Sequence, residues 1–177
     1  MDANLHLPHS IFLIGPSGVG KTNLATETSE MLPGLRVINV DEEVRIQDPS
    51  LMSGRDWEAF WNVASARMVY QENQLNEFEF QLFDVGAGCL QSKSSLEFFR
   101  CRNTVLIYDS PKNTFNKVNS RPESAWINKT LEQHIQTEFS DERKKIYKAC
   151  RKCIDVGKCT KKEAADMLLQ IIQELKS

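Results

Sequence analysis

Apolar residues along this chain fall into two kinds of pattern. Short, nearly continuous runs occur at residues 10–14 (Ser-Ile-Phe-Leu-Ile) and 104–108 (Thr-Val-Leu-Ile-Tyr). Such runs predict strands covered on both faces, as in a parallel sheet. Further strand candidates lie at residues 36–40, 78–83 and 152–156. Helical patterns fall between them, near residues 19–32, 56–73, 92–101 and 111–118. A longer helical stretch covers residues 130–150, with a break expected near Ser140. The final segment opens with Thr160-Lys-Lys-Glu163, a capping-box pattern in which each end residue satisfies the other's backbone N–H. Ala164, Met167, Leu168, Ile171, Ile172 and Leu175 follow at helical spacing and predict an amphipathic helix packed on the sheet. Alternating strands and helices predict an α/β fold of three layers: a central five-stranded parallel sheet with helices on both faces. Residues 119–130 are polar and carry a proline, and are expected to form a mobile lid. The 177 residues suffice for one well-buried domain, expected to span residues 1–177.

The first apolar run leads directly into Gly15-Pro-Ser-Gly-Val-Gly20-Lys21-Thr22, a complete G-x-x-x-x-G-K-[ST] pattern. A strand before it and a helix after it are the context that this phosphate-binding motif requires. Backbone N–H groups of the glycine-rich turn converge on phosphates, and the helix N-terminus adds its dipole. Lys21 is expected at the β- and γ-phosphates, and the Thr22 hydroxyl at Mg²⁺. Gly15, Ser17, Gly18, Val19, Gly20, Lys21, Thr22 and Asn23 form the expected nucleotide-binding set, with ATP and Mg²⁺ as the implied cofactors. This is the fold class of P-loop NTPases.

Charge narrows the partners. Lys and Arg number 22 against 24 Asp and Glu, a formal net charge of -2. No basic stripe points to nucleic acid, and the local runs at residues 143–145 and 161–162 read as solvated helix faces. No apolar stretch approaches the roughly 20 residues of a membrane span. The opening Met1-Asp-Ala-Asn-Leu5 lacks the basic and apolar regions of a signal peptide. Five cysteines, an odd number, suit a reducing cytosol, so a cytoplasmic location is expected. Cys150 and Cys153, with Cys159 nearby, have no matched second pair and read as small, partly buried apolar residues rather than zinc ligands. A monomer or weak dimer is expected.

A P-loop chain of this size is expected to be a small GTPase or a small kinase. Guanine recognition needs Asn-Lys-x-Asp, but Asn116-Lys-Val-Asn119 and Asn128-Lys-Thr-Leu131 both lack the final aspartate. Asp84-Val-Gly-Ala87 also misses the Asp-x-x-Gly spacing, which disfavours a GTPase. In a kinase, Asp41 after the second strand is placed to meet an acceptor hydroxyl, or else to begin the next helix as a cap or surface acid. Gly86-Ala87-Gly88 after the third strand would let backbone approach a small ligand. Asp84 sits where a Walker-B aspartate would hold the Mg²⁺ shell, or cap the following turn.

In order and spacing these segments, with Ser120-Arg121-Pro122 and Glu142-Arg143-Lys-Lys-Ile-Tyr147, resemble the shikimate kinase family across nearly the whole chain. The resemblance implies that Asp41 contacts the acceptor hydroxyl, and that Gly86, Ala87 and Gly88 lie at the substrate. It implies that Arg121 reaches over the phosphates, that Arg143 holds a substrate carboxylate, and that Lys117 lies near the adenine. An alternative for Arg143 is a helix-surface ion pair with Glu142 or Glu138. The chain departs from the family in three places. Asn39 stands where the family has its first acidic residue, Ala87 interrupts the glycine triplet, and Phe60-Trp61-Asn-Val-Ala64 replaces Phe-Arg-x-x-Glu. Trp61, with Trp57 and Phe60, is then expected to give the acceptor site an aromatic wall, and Arg55 or Arg67 could supply the missing charge. Lys21, Asp41 and Arg121 are the candidate catalytic residues, and Thr22 and Asp84 the candidate metal ligands. The expected activity is ATP-dependent phosphoryl transfer to a hydroxyl of a small molecule. The alternatives are an ATP-binding regulatory protein without turnover and a nucleoside or nucleotide kinase.

Overall fold

A computed structural model describes residues 9–53, 56–75, 80–121 and 129–176. Five parallel strands make one sheet: β1 (Ser10–Ile14), β2 (Leu35–Asn39), β3 (Phe80–Asp84), β4 (Asn103–Tyr108) and β5 (Lys152–Asp155). Their order is β2-β3-β1-β4-β5, which puts the most apolar strand at the centre. The connection after β1 runs to β2 at one edge, and the connection after β3 runs to β4 on the other side of β1. The carboxyl ends of β1 and β3 therefore bound a switch point of the kind that holds ligands in open α/β sheets.

Alternation along β1 separates two cores. Phe12 and Ile14 face one side with Ile38, Phe60, Trp61, Phe83 and Phe99. Ile11 and Leu13 face the other with Leu24, Leu82, Ile107, Leu168 and Ile172. The first face is covered by α2 (Val40–Gln47), α3 (Trp57–Asn73), α4 (Ser95–Arg100) and α7 (Asp141–Ala149), and the second by α1 (Lys21–Met31) and α8 (Lys161–Lys176). Phe12 stacks on Phe83 with ring centroids 4.5 Å apart, locking β1 to β3. This is the three-layer arrangement that the apolar pattern predicts.

Local chemistry sets the element boundaries. Helix α2 begins at Val40 because the Asn39 side chain accepts from Glu42 N at 3.0 Å, so β2 ends one residue earlier than the apolar run suggests. Asp41 thus lies in the first turn of a helix instead of at a strand tip. Between β3 and α4 the chain makes a 3-10 turn over Ala87–Gln91, and α4 is shorter than the helix expected over 92–101. Helix α5 (Pro111–Asn119) starts with proline and a Ser110 cap. The 130–150 stretch divides as expected into α6 (Leu131–Glu138), capped by the Thr130–Gln133 box, and α7, capped by Ser140 accepting from Arg143 N. Thr160 and Glu163 close the capping box at the start of α8. The expected lid, residues 119–130, coincides mostly with residues 122–128, which lie outside the described residues, as does Arg55. Among the described residues, no helix is long and apolar enough to cross a membrane.

Candidate active site

The P-loop leaves β1 at Gly15 and enters α1 at Lys21. A side chain on Gly15 would overlap the Ile107 carbonyl of β4, so the loop lies against the neighbouring strand only because this residue has none. Gly18 (φ 78°) and Gly20 (φ 100°) take left-handed conformations, which curl the backbone so that successive N–H groups face the same side. Lys21 Nζ donates to Gly15 O at 2.9 Å and to Pro16 O at 3.1 Å, folding back over its own loop. Burial pushes the Lys21 ammonium below its usual range; Asp84, Glu138 and Asp41 oppose that shift and Arg143 adds to it.

Parallel pairing brings the carboxyl ends of three strands together. Asp84 is opposite Leu13 on β1 and opposite Asn39 on β2. Thr22 Oγ1 donates to Asp84 Oδ2 at 2.6 Å, and Asn39 Nδ2 donates to the same oxygen at 3.3 Å. The Asn39 amide therefore bridges two needs, capping α2 through its oxygen and holding Asp84 through its nitrogen. A hydroxyl and a carboxylate in contact are an oxygen donor set suited to a hard cation such as Mg²⁺.

Asp41 stands across this cleft. Its Oδ1 is buried and accepts no hydrogen bond from the protein. Burial raises the Asp41 pKa above the usual carboxylate range, and the charge of Asp84 raises it further against the pull of Lys21. A Cβ on Gly86 would overlap the Asp41 carboxylate, so the β3 loop approaches this acid because residue 86 is glycine. Gly86→Ala is expected to turn Asp41 away and lower kcat/KM by about 100-fold, the scale of an ångström-sized misplacement. Comparing its thermal midpoint with the wild type separates this from unfolding, and an unchanged kcat/KM would remove Asp41 from the site.

Two adjoining cavities follow the loop. One of about 430 Å³ is lined by Ser17, Lys21, Thr22, Asn39, Asp41, Asp84, Gly86 and Arg121. The other, about 360 Å³, runs outward past Gly18, Val19, Gly20 and Asn23 to Lys117, Arg121, Val156 and Cys159. The first has the chemistry for phosphates and a reacting hydroxyl, and the second has apolar walls suited to a purine. Lys117 lies at this outer cavity but is tied to Asp109 by Nζ–Oδ2 at 2.8 Å. The side chain of Arg121 is exposed and lines both cavities, within reach of a phosphate chain running between them.

Several residues stand elsewhere than the sequence suggests. Trp61 is 4% exposed and packs edge-on to Phe98 and Phe99 in the core, so it is not the wall of the acceptor site. Trp57, one helical turn earlier, is 39% exposed and its ring lies against Gly88. Arg67 is paired with Glu43 and supplies no charge to the cleft. Ala87 contributes its carbonyl, which accepts from Arg143 Nη2 at 3.0 Å. Arg143 is 2% exposed and bonds Glu138 through Nη1–Oε2 at 2.5 Å, so the expected surface pair with Glu138 exists but is buried. Glu138 also accepts from Ser17 N of the P-loop at 2.8 Å. Sequence reasoning gave Glu138 no place in the site, because one acid in an amphipathic helix carries no motif. Cys159 was read only as a small apolar residue, yet it lines the outer cavity.

No known protein-family profile matches the chain, and no curated protein matches it in sequence. Solved structures do match. The chain is similar to shikimate kinase from Bacteroides thetaiotaomicron, with TM-score 0.71 and 18% identity over 93% of this chain and 98% of that one. It is similar to shikimate kinase from Acinetobacter baumannii in complex with shikimate, with TM-score 0.71, 16% identity and 93% of each chain covered. Deoxyadenosine kinase from M. mycoides also matches, with TM-score 0.61 and 13% identity over 93% of this chain and 99% of that one. The chain therefore has the three-layer fold shared by shikimate kinases and other P-loop kinases.

Proposed function

We propose that the protein transfers the γ-phosphoryl group of ATP to a hydroxyl of a small molecule. The observation that carries this reading is the Asp41 carboxylate, with a buried oxygen unpartnered, sharing one cavity with Lys21, Thr22 and Asp84 of the phosphate side. An unpaired buried acceptor is costly, and a substrate hydroxyl donating to it would satisfy it. Bound ATP supplies the transferable group, and Mg²⁺ offsets charge on its phosphate oxygens. Backbone N–H groups of Gly18, Gly20, Lys21 and Thr22 hold the phosphates. Lys21 exchanges its carbonyl partners for phosphate oxygens, and Arg121 adds charge from the outer side. Thr22 and Asp84 would hold the metal. Asp41 orients the acceptor hydroxyl and takes its proton as the new O–P bond forms and the bond to the leaving ADP oxygen breaks. Its raised pKa suits a base better than that of an ordinary surface aspartate.

ADP release measured across a panel of shikimate, polyols, sugars and nucleosides tests the proposal. Release that depends on an acceptor supports a kinase. Tight ATP binding without acceptor-dependent release would instead support an ATP-binding regulatory protein. One contact favours that second reading: Glu138 occupies the Ser17 N–H at the head of the P-loop.

Asp84→Asn tests the metal assignment. The Mg²⁺ concentration for half-maximal turnover is expected to rise by about 10- to 100-fold, the usual effect of weakening groups around a metal. An unchanged Mg²⁺ titration would leave Asp84 as a cap of the β3 turn and nothing more.

A further inference from the structure

A buried arginine beside Ala87, in the loop that follows Gly86 of the cleft, already has its charge paired. Arg143 Nη1 is closed onto Glu138 Oε2 and Nη2 onto the Ala87 carbonyl, while Nε is buried without a hydrogen-bond partner. Both partners of the pair are almost completely buried, at 3% and 2% of their side-chain surface. The guanidinium charge is thus already balanced by a buried carboxylate, although its Nε–H is left without a partner. The other buried cation, Lys21, bonds Gly15 O and Pro16 O on the phosphate side. Arg121 lies along the same phosphate path. Asp41 and Asp84 line the same cavity, and Glu138 is held at the P-loop by Ser17 N. An anionic acceptor would enter a low-dielectric cleft next to these acids with the nearby positive charge already engaged. Trp57 against Gly88 offers a flat, uncharged face of the size of a ring.

We propose that Glu138 sets the charge class of the acceptor: by closing Arg143 into an internal pair, it selects an uncharged polyhydroxylated molecule and rejects carboxylates and phosphate monoesters. The inference rests on the kinase reading for the identity of the cleft, but it concerns selection and not turnover. Glu138 acts through Arg143 and touches no reacting atom. The break between α6 and α7 is what allows the pair, because Ser140 caps the second helix and turns Arg143 back toward the end of the first. Tyr147 Oη donates to Glu138 O at 2.8 Å and fixes that corner.

Shikimate and its primary amide are a matched pair of probes, alike in shape and different in charge. Their binding is measured by titration calorimetry on protein loaded with a non-hydrolysable ATP analogue and Mg²⁺. In Glu138→Gln the amide side chain still accepts from Ser17 N but no longer neutralises Arg143. Shikimate affinity is expected to rise by about tenfold or more over the wild type, while affinity for the primary amide changes by less than about threefold. A merely structural role would move both probes together. Shikimate binding unchanged by the substitution, or a wild type that already prefers shikimate to its amide, would overturn the inference. Glu138→Ala is the second variant should Glu138→Gln fold poorly, with folding checked by thermal melting. Acceptor-dependent ADP release is followed separately. A charge switch without turnover would remove the kinase reading alone, and turnover on neutral acceptors without a charge switch would remove this inference alone.

Discussion

Asp41→Asn is expected to lower kcat by about 100- to 10,000-fold, the range for loss of a positioned base, and at the same time to stabilise the fold. Asparagine keeps the shape and can still accept from a hydroxyl, but it cannot take the proton. The stability effect follows from the pKa direction. Burial and the charge of Asp84 raise the folded-state pKa of Asp41 above its unfolded value. A group so shifted contributes its full stability below the unfolded pKa and loses it as pH rises through the folded pKa. At neutral pH the ionised Asp41 therefore costs stability. Removing the charge is expected to recover about 1 kcal/mol, typical of neutralising a strained functional residue. That corresponds to about 2–4 °C in Tm for a chain of this size. The gain should shrink as pH falls towards about 4, near the ordinary aspartate pKa. Wild-type kcat should fall over the same acid limb. Equal Tm values at pH 7 together with unchanged kcat would show that Asp41 is neither strained nor engaged.

The second large effect is on folding. Arg143→Met is expected to destabilise the protein by about 3–5 kcal/mol, because it leaves a buried carboxylate without its counter-charge. Glu138 would keep the Ser17 N–H, but one neutral donor does not replace a guanidinium. The substitution also removes the donor to Ala87 O that pins the loop after β3. Urea midpoints at constant slope measure the loss. Adding Glu138→Leu to Arg143→Met should restore most of it, since replacing both partners by apolar groups avoids the uncompensated charge. A single variant as stable as the wild type, or a double variant no better than the single, would contradict the account.

Different parts of the molecule were legible to different degrees. The P-loop, its strand and its helix were readable in full, because the motif is contiguous and its backbone geometry depends on its own glycines. The five strands and the Thr160–Glu163 capping box were readable for the same reason: period and capping act over a few residues. The pairing of Thr22 with Asp84 was inferable as a shared metal role, though only β1–β3 register brings the two together. Helix α2 was missed because a strand run and a helix run join at Asn39 without a glycine or proline between them. The aromatic segment of α3 was read with the wrong phase. Trp57 and Trp61 lie one turn apart, and only packing against Phe98 and Phe99 decides which of them is core.

The phosphate-binding loop was thus written in the chain itself: Gly15 to Thr22 specify a phosphate cradle by local backbone conformation, although only the fold shows that Glu138 holds its Ser17 N–H. The character of the proposed acceptor side was decided only in three dimensions. Whether Arg143 is a free cation or a closed one depends on Glu138, and whether Asp41 has a partner depends on the loop at Gly86. Those are contacts between separate elements, set by burial and by the carboxyl ends of neighbouring strands meeting. A side chain's charge can be read from sequence, but whether that charge is already spent depends on what folding has placed beside it.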